Sequence, residues 1–194
     1  MEKLRVLVVD DESLIRMDIV EMLEDVGHEV VAEGENGEQA IELAREYSPD
    51  IVIMDVKMPV MDGISAAKVI GDEEIAPVLL LTAFSQNDIV DKANDAGVIA
   101  YLVKPIREEQ LLPAMSVAVQ RFKDLKKLNL ELEKLQDSLE TRKLLDRAKG
   151  ILMTAHGLNE QEAYRRMQQY SMSKRISLKE LAEMIIKAAD KKKK

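Results

Sequence analysis

The sequence has no cysteine and no tryptophan. The first absence excludes a disulfide framework, thiolate zinc sites and thiol catalysis. Aromatic residues make up only 3% of the chain, which leaves little for an aromatic binding platform. Long apolar runs are missing as well. The longest stretch without a charge, Ile75–Asn87, is 13 residues, and a membrane-spanning helix needs about 20. Glu2 stands next to the first methionine and no apolar signal core follows it, so the expectation is a cytoplasmic chain with no membrane partner. What is present can build a core. The 194 residues are 46% hydrophobic and 33% charged, which argues against intrinsic disorder and suits one large domain or two small ones.

The net charge of −8 conceals two opposite halves. Residues 1–124 hold 11 Lys+Arg against 26 Asp+Glu, a balance of −15, and residues 125–194 hold 17 against 10, a balance of +7. Such a split points to two domains facing different partners. The acidic half disfavours nucleic acid. The basic half admits it, although a lysine-rich helical bundle would carry the same sign.

Strands and helices alternate through the first half. Leu4–Val9, interrupted only by Arg5, and Ile51–Met54 and Val78–Leu81 are apolar runs of strand length, joined by shorter strands at Glu29–Ala32 and Ala100–Val103. Helical spacing runs over Ser13–Val26 through Leu14, Ile15, Ile19, Met22 and Leu23. It also covers Ile64–Ile70 and Asp88–Ala96, the last stopping at Gly97, and Asn36 with Gln39 forms a capping-box start for a helix ending at Tyr47. Strands this apolar on both faces belong in a parallel sheet covered by helices. The expected fold is an α/β doubly wound five-stranded parallel sheet, followed by an all-α coiled coil plus three-helix bundle.

Past Pro105 the pattern is helical, and Pro113 is expected in a first helical turn, where its missing N–H costs little. Leu125, Leu128, Leu132, Leu135 and Leu139 then recur at spacings of 3, 4, 3 and 4. This is an a/d seam and reads as a short dimeric coiled coil. The other reading is a single amphipathic helix lying on its own domain. His156-Gly157 ends one helix, and Asn159 with Glu162 and Ser177 with Glu180 open two more. The boundaries follow as 1–122 for the α/β domain, 123–140 for the coiled-coil linker helix, 141–190 for the helical output domain and 191–194 for a lysine tail.

Ligands of doubly wound sheets sit outside the carboxyl ends of the strands. Asp10 and Asp11 follow the first strand, Asp55 the third, Thr82 the fourth and Lys104 the last. A lone Asp after a strand is usually a cap or turn residue, but suitable residue types at four strand ends are hard to assemble by chance. Clustered carboxylates suit Mg²⁺, which takes one or two of them with waters and a phosphate oxygen. Asp55 could then attack phosphorus as a carboxylate nucleophile, with Lys104 and Thr82 holding phosphoryl oxygens. Asp62-Gly63 reads as a turn, and His28 and His156 as structural or solvent-exposed histidines.

These residues resemble a known family. Val8-Val9-Asp10-Asp11-Glu12, Asp55-Val56-Lys57-Met58-Pro59 with Asp62-Gly63, Leu81-Thr82-Ala83 and Tyr101-Leu102-Val103-Lys104-Pro105 are similar to the receiver domain of two-component response regulators. The resemblance covers about residues 3–122 and implies a flavodoxin-like fold. It implies that Asp55 accepts phosphate from a sensor histidine kinase, and that Asp11, Asp55 and the Lys57 backbone carbonyl touch Mg²⁺ while Asp10 acts mostly through water. It also implies that Thr82 and Tyr101 rearrange together on phosphorylation and that Lys104-Pro105 is a cis bond.

The window 141–175 carries eight basic residues against three acids. Arg142-Lys143-Leu144-Leu145-Asp146-Arg147-Ala148-Lys149-Gly150-Ile151-Leu152-Met153, Glu162-Ala163-Tyr164 and Leu181-Ala182-Glu183-Met184-Ile185-Ile186 resemble the ANTAR domain, an RNA-binding module of bacterial antitermination regulators. The similarity spans about residues 125–187. It implies a dimerising coiled coil and recognition of paired RNA hairpins that overlap a terminator. Gly150 inside a helix would permit close approach of a backbone or base. Tyr164 could stack an unpaired base or belong to the core, and Arg142, Arg147, Lys149, Arg165 and Arg166 could hold phosphates.

The expected protein is a response regulator that dimerises when phosphorylated, binds hairpin RNA in nascent transcripts and prevents termination. It is not an enzyme beyond its own phosphoryl chemistry. Duplex DNA is not expected, because Met172–Ser177 looks looser than the turn of a helix-turn-helix. A DNA-binding regulator and a protein-interaction output are the alternatives.

Overall fold

The structure is a computed structural model and describes residues 3–83 and 100–191. Five strands, β1 (Arg5–Val9), β2 (Glu29–Gly34), β3 (Ile51–Asp55), β4 (Val78–Thr82) and β5 (Ala100–Val103), form one sheet in the order β2-β1-β3-β4-β5. Every pairing is parallel. The strand order reverses at β1, and ligands collect where such a sheet changes direction. The sheet is the doubly wound flavodoxin-like architecture expected. The helix expected over Asp88–Ala96 and its stop at Gly97 lie outside the described residues.

Period-two alternation sorts the apolar runs onto two cores. Leu7, Val9, Val52, Met54, Val78 and Leu80 face α2 (Gly37–Tyr47) and α3 (Gly63–Asp72). Val6, Val8, Ile51, Ile53, Leu79 and Leu81 face α1 (Ser13–Asp25) and the first turns of α4 (Glu108–His156). Both faces of the central strands are dry, which is why these strands do not alternate polar with apolar.

Three local expectations need correction. Leu14 is 74% exposed, so the buried stripe of α1 runs through Ile15, Ile19 and Leu23 without it. Asn36 accepts from the Gln39 N–H, but the Gln39 side chain accepts from Glu35 N–H, so the reciprocal bond closes one residue early. Pro113 lies in the second turn of α4, because the helix starts only at Glu108, where the Arg107 carbonyl accepts from Gln110 and Leu111. An interior proline forfeits one i→i−4 bond there.

The described chain separates into two compact units, Met1–Lys127 and Leu128–Lys194. In the second, the end of α4 packs with α5 (Glu160–Lys174) and α6 (Leu178–Lys191) around Ala148, Met167, Leu181, Ala182 and Ile186. The helix that carries the leucine seam continues into the first helix of the output bundle, as expected, and runs through His156, after which Gly157 stands at φ +64°. Asn159 and Glu162 bond reciprocally across the start of α5, and Ser177 and Glu180 do so across the start of α6.

Candidate functional site

The carboxyl edge of the sheet gathers Asp10, Asp55, Thr82 and Lys104, each at or just past the end of a different strand. Asp10, Asp55 and Thr82 are buried, and Lys104 is half-buried. Lys104 Nζ lies 2.8 Å from Asp10 Oδ2 and 2.7 Å from Asp55 Oδ1. The remaining oxygens are also held, since Glu12 N–H donates to Asp10 Oδ1 at 2.9 Å and Lys57 N–H to Asp55 Oδ2 at 2.7 Å. Burial pushes the Asp55 carboxyl above its ordinary range, opposed by Lys104 and the Lys57 N–H. Burial alone would lower Lys104, but its bonds to Asp10 and Asp55 outweigh that and leave it raised.

Asp11 is exposed beside this pair. Among the described residues no group of three or more acidic or histidine side chains stands close enough to hold a metal ion. Lys104 therefore links two of the three expected carboxylates, and Asp11 does not complete a cluster with them. The donor chemistry still suits Mg²⁺, a hard cation that needs only one or two carboxylates. The Lys104-Pro105 bond is cis. Tyr101 is 45% exposed on β5, while Thr82 on the neighbouring β4 is buried.

Sequence reading missed two supports of the site. Gly63 is more than a turn residue: a Cβ there would lie 2.0 Å from the Asp55 carbonyl oxygen, and its N–H donates to Val56 O. Arg16 donates through Nη1 to the Asp10 carbonyl at 2.7 Å and through Nε to Glu33 at 2.9 Å, so α1 braces the turn that carries Asp10. Gly63 entered the sequence reading only as part of the Asp62-Gly63 turn and Arg16 not at all, because neither contact follows from local helix or strand spacing.

In the second unit, Arg142, Asp146, Lys149, Gly150, Met153, Glu160 and Tyr164 line an open groove of about 670 Å³. Lys149 is 15% exposed, and its Nζ lies 2.7 Å from both Asp146 and Glu160. A Cβ on Gly150 would meet nothing within 4 Å, so none of the described residues requires a glycine there. Arg147 pairs with Asp190 at 3.2 Å, and Arg165 and Arg166 are exposed. Tyr164 is at the surface rather than in the core. Leu125, Leu128, Leu132, Leu135 and Leu139 are 48–62% exposed. The connection from α5 to α6 is shorter than expected, only Arg175–Ser177, with Arg175 at φ +54° and Ser171 Oγ donating to Ile176 O. Its length no longer separates this bundle from a helix-turn-helix.

The described site is thus a lysine-bridged acidic pair at the switch point of a doubly wound sheet. Residues 6–116 match the response regulator receiver domain, and residues 133–186 match the ANTAR domain. The chain is 50% identical over 182 residues to the transcriptional regulatory protein PdtaR of Mycobacterium tuberculosis, covering 94% of this chain and 89% of that one. It is 43% identical over 113 residues to the chemotaxis protein CheY of Bacillus subtilis, covering 58% and 94%. Among solved structures, the receiver domain of the putative response regulator NarL from Mycobacterium tuberculosis aligns with a TM-score of 0.59 and 33% identity, covering 62% of this chain and 98% of that one. The chain belongs to the response-regulator receiver family and is a phosphorylation-responsive regulator with an ANTAR output domain. No helix among the described residues is long and apolar enough to cross a membrane.

Proposed function

We propose that Asp55 takes a phosphoryl group from a sensor histidine kinase and that the phosphorylated chain, as a homodimer, binds paired RNA hairpins and prevents transcription termination. The observation carrying the first step is the Lys104 ammonium between Asp10 and Asp55. An Asp55 oxygen attacks the phosphorus of the phosphohistidine. The N–P bond breaks and the imidazole leaves. Lys104 is within reach of the charge that develops on the phosphoryl oxygens, and Thr82 stands at the adjoining strand end to hold another. Mg²⁺ would be held by Asp11, Asp55 and the Lys57 carbonyl, with Asp10 acting mostly through water, and would supply further charge neutralisation. Thr82 moving toward the phosphoryl group leaves room for the exposed Tyr101 to turn inward, which changes the β5 face.

The unpartnered leucines of α4 support the dimer, since apolar side chains at a/d spacing gain little as exposed surface. The groove beside Tyr164 supports RNA: an unpaired base can stack on the ring, with Gly150 leaving space, Arg142 in the groove wall and the exposed Arg165 and Arg166 available to phosphates, while Arg147 and Lys149 are already paired with Asp190, Asp146 and Glu160. The test is hairpin binding with and without a phosphoryl donor. Tightening that disappears in Asp55→Ala supports the reading. Equal affinity in both states rejects it, and a preference for duplex DNA in direct competition favours a DNA-binding regulator.

A further inference from the structure

The leucine seam of α4 does not stop where its leucines stop. A helix advances about 100° per residue, so Leu128, Leu132 and Leu135 project within about 40° of the direction of Leu139. By the same count Arg142, Asp146, Lys149, Gly150 and Met153 project within about 80° of it. These five residues belong to the α4 wall of the groove, which Ser138, Thr141 and Leu145 extend toward the bundle side. The residues of α4 that pack into the chain's own bundle, Leu144, Ala148 and Ile151, lie about 120° or more away. Asp137, which pairs with Lys179 of α6, is also on that far side. The bundle therefore packs along one side of α4, and the opposite face runs from the exposed leucines through Arg142 and Asp146 to Met153.

We infer that this outward face is continuous across the dimer and that the RNA-binding cleft is built jointly by two copies of the chain, each hairpin touching both. The inference rests on the dimer and RNA readings above and adds that neither groove is complete alone. Three observations favour a second copy as the neighbour. The groove continues the exposed seam with no break in the helix. Gly150 lies on that face with open space above it, although a glycine in mid-helix costs about 1 kcal/mol relative to alanine. Finally, Lys149 is neutralised by Asp146 and Glu160 of its own chain, so two copies can bring this stretch together without opposing bare ammonium groups.

The absence of cysteine makes the test clean. Leu139→Cys, Met153→Cys and Ala155→Cys, the last on the far side of α4, are each treated with a short bismaleimide after beryllofluoride activation. Linked dimers from Leu139→Cys and Met153→Cys, but not from Ala155→Cys, are expected. Linkage at Leu139→Cys without linkage at Met153→Cys overturns the inference and leaves the dimer standing. No linkage at either position overturns both. A mixed dimer of one intact copy and one Arg142→Ala, Tyr164→Ala copy then reports on RNA. A joint cleft predicts that a single hairpin binds about tenfold more weakly than to the intact dimer, the loss of one stacked base. Unchanged affinity for one hairpin means independent sites and rejects the shared cleft.

Discussion

A Cβ at position 63 would stand 2.0 Å from the backbone carbonyl oxygen of Asp55. The start of α3 is thus laid directly on the end of β3, and the contact exists only because residue 63 has no side chain. Backbone cannot swing aside as a flexible side chain can. Gly63→Ala should lower the stability of the receiver unit by about 3 kcal/mol or more. Urea unfolding of the variant checks this. A loss within the error of the midpoint would show that the β3–α3 junction is free to shift.

Lys104 joins the two buried carboxylates, so its removal should be felt in chemistry before stability. Lys104→Ala is expected to slow phosphorylation of Asp55 by about 100-fold, the order of effect for deleting one preorganised charge donor. Stopped-flow phosphorylation with a small phosphoryl donor reads it. The ion pair also sets a pH limit. Because the Lys104 pKa is raised above 10.5, its contribution to stability is present below the ordinary lysine value and lost as pH climbs through the elevated one. The wild-type receiver should lose stability in that alkaline window, and Lys104→Ala should not show this component.

The parallel sheet was legible because Val6–Val9, Ile51–Met54 and Val78–Leu81 are apolar at every position, a pattern produced by burial on both faces. The acidic edge was legible because each of its residues follows a strand directly. Gly63 was not, since a close backbone approach is set by how α3 crosses β3, and local sequence reads it as a turn. Lys149 was half legible. Its partner Asp146 is three residues away on one helix, but Glu160 reaches it only after the chain has turned at Gly157. Pro113 was misplaced because the entry to α4 is fixed by the Arg107 carbonyl, and nothing in the local sequence marks that residue as the cap.

His28 gives the receiver an acid limit. The imidazole is buried and Nδ1 accepts from Leu4 N–H at 3.2 Å, a bond open only to the neutral ring. Burial lowers its pKa from 6.5. A histidine depressed in the folded state stabilises above its unfolded pKa and loses that contribution as pH falls toward the folded value. Unfolding midpoints between about pH 7.5 and 5.5 should therefore decline. In His28→Leu the decline should flatten, and an unchanged slope would assign it to other groups.

The output bundle depends on its caps. Asn159 Oδ1 accepts from Glu162 N–H at 2.9 Å while Glu162 Oε2 accepts from Asn159 N–H at 3.0 Å. Asn159→Ala should cost about 1 kcal/mol. The loss should appear in the melting of the helical unit while phosphorylation of Asp55 is unaffected, which separates it from damage to the receiver.

Arg142 and Lys149 line the same groove but should behave differently toward salt. Arg142 is exposed and can meet a phosphate, so Arg142→Ala should reduce the slope of log affinity against log salt by about 0.7 for a single-stranded loop. Lys149 already lies 2.7 Å from each of two carboxylates. A phosphate reaching its ammonium must displace Asp146 or Glu160, and little net charge is gained. Lys149→Ala should weaken hairpin binding by loosening the tie between α4 and α5 while leaving the salt slope nearly unchanged. Asp146→Asn should do the opposite, freeing positive charge and steepening the slope. Filter binding over a salt series distinguishes the three variants, and a full one-phosphate loss of slope in Lys149→Ala would return that lysine to the phosphate contacts.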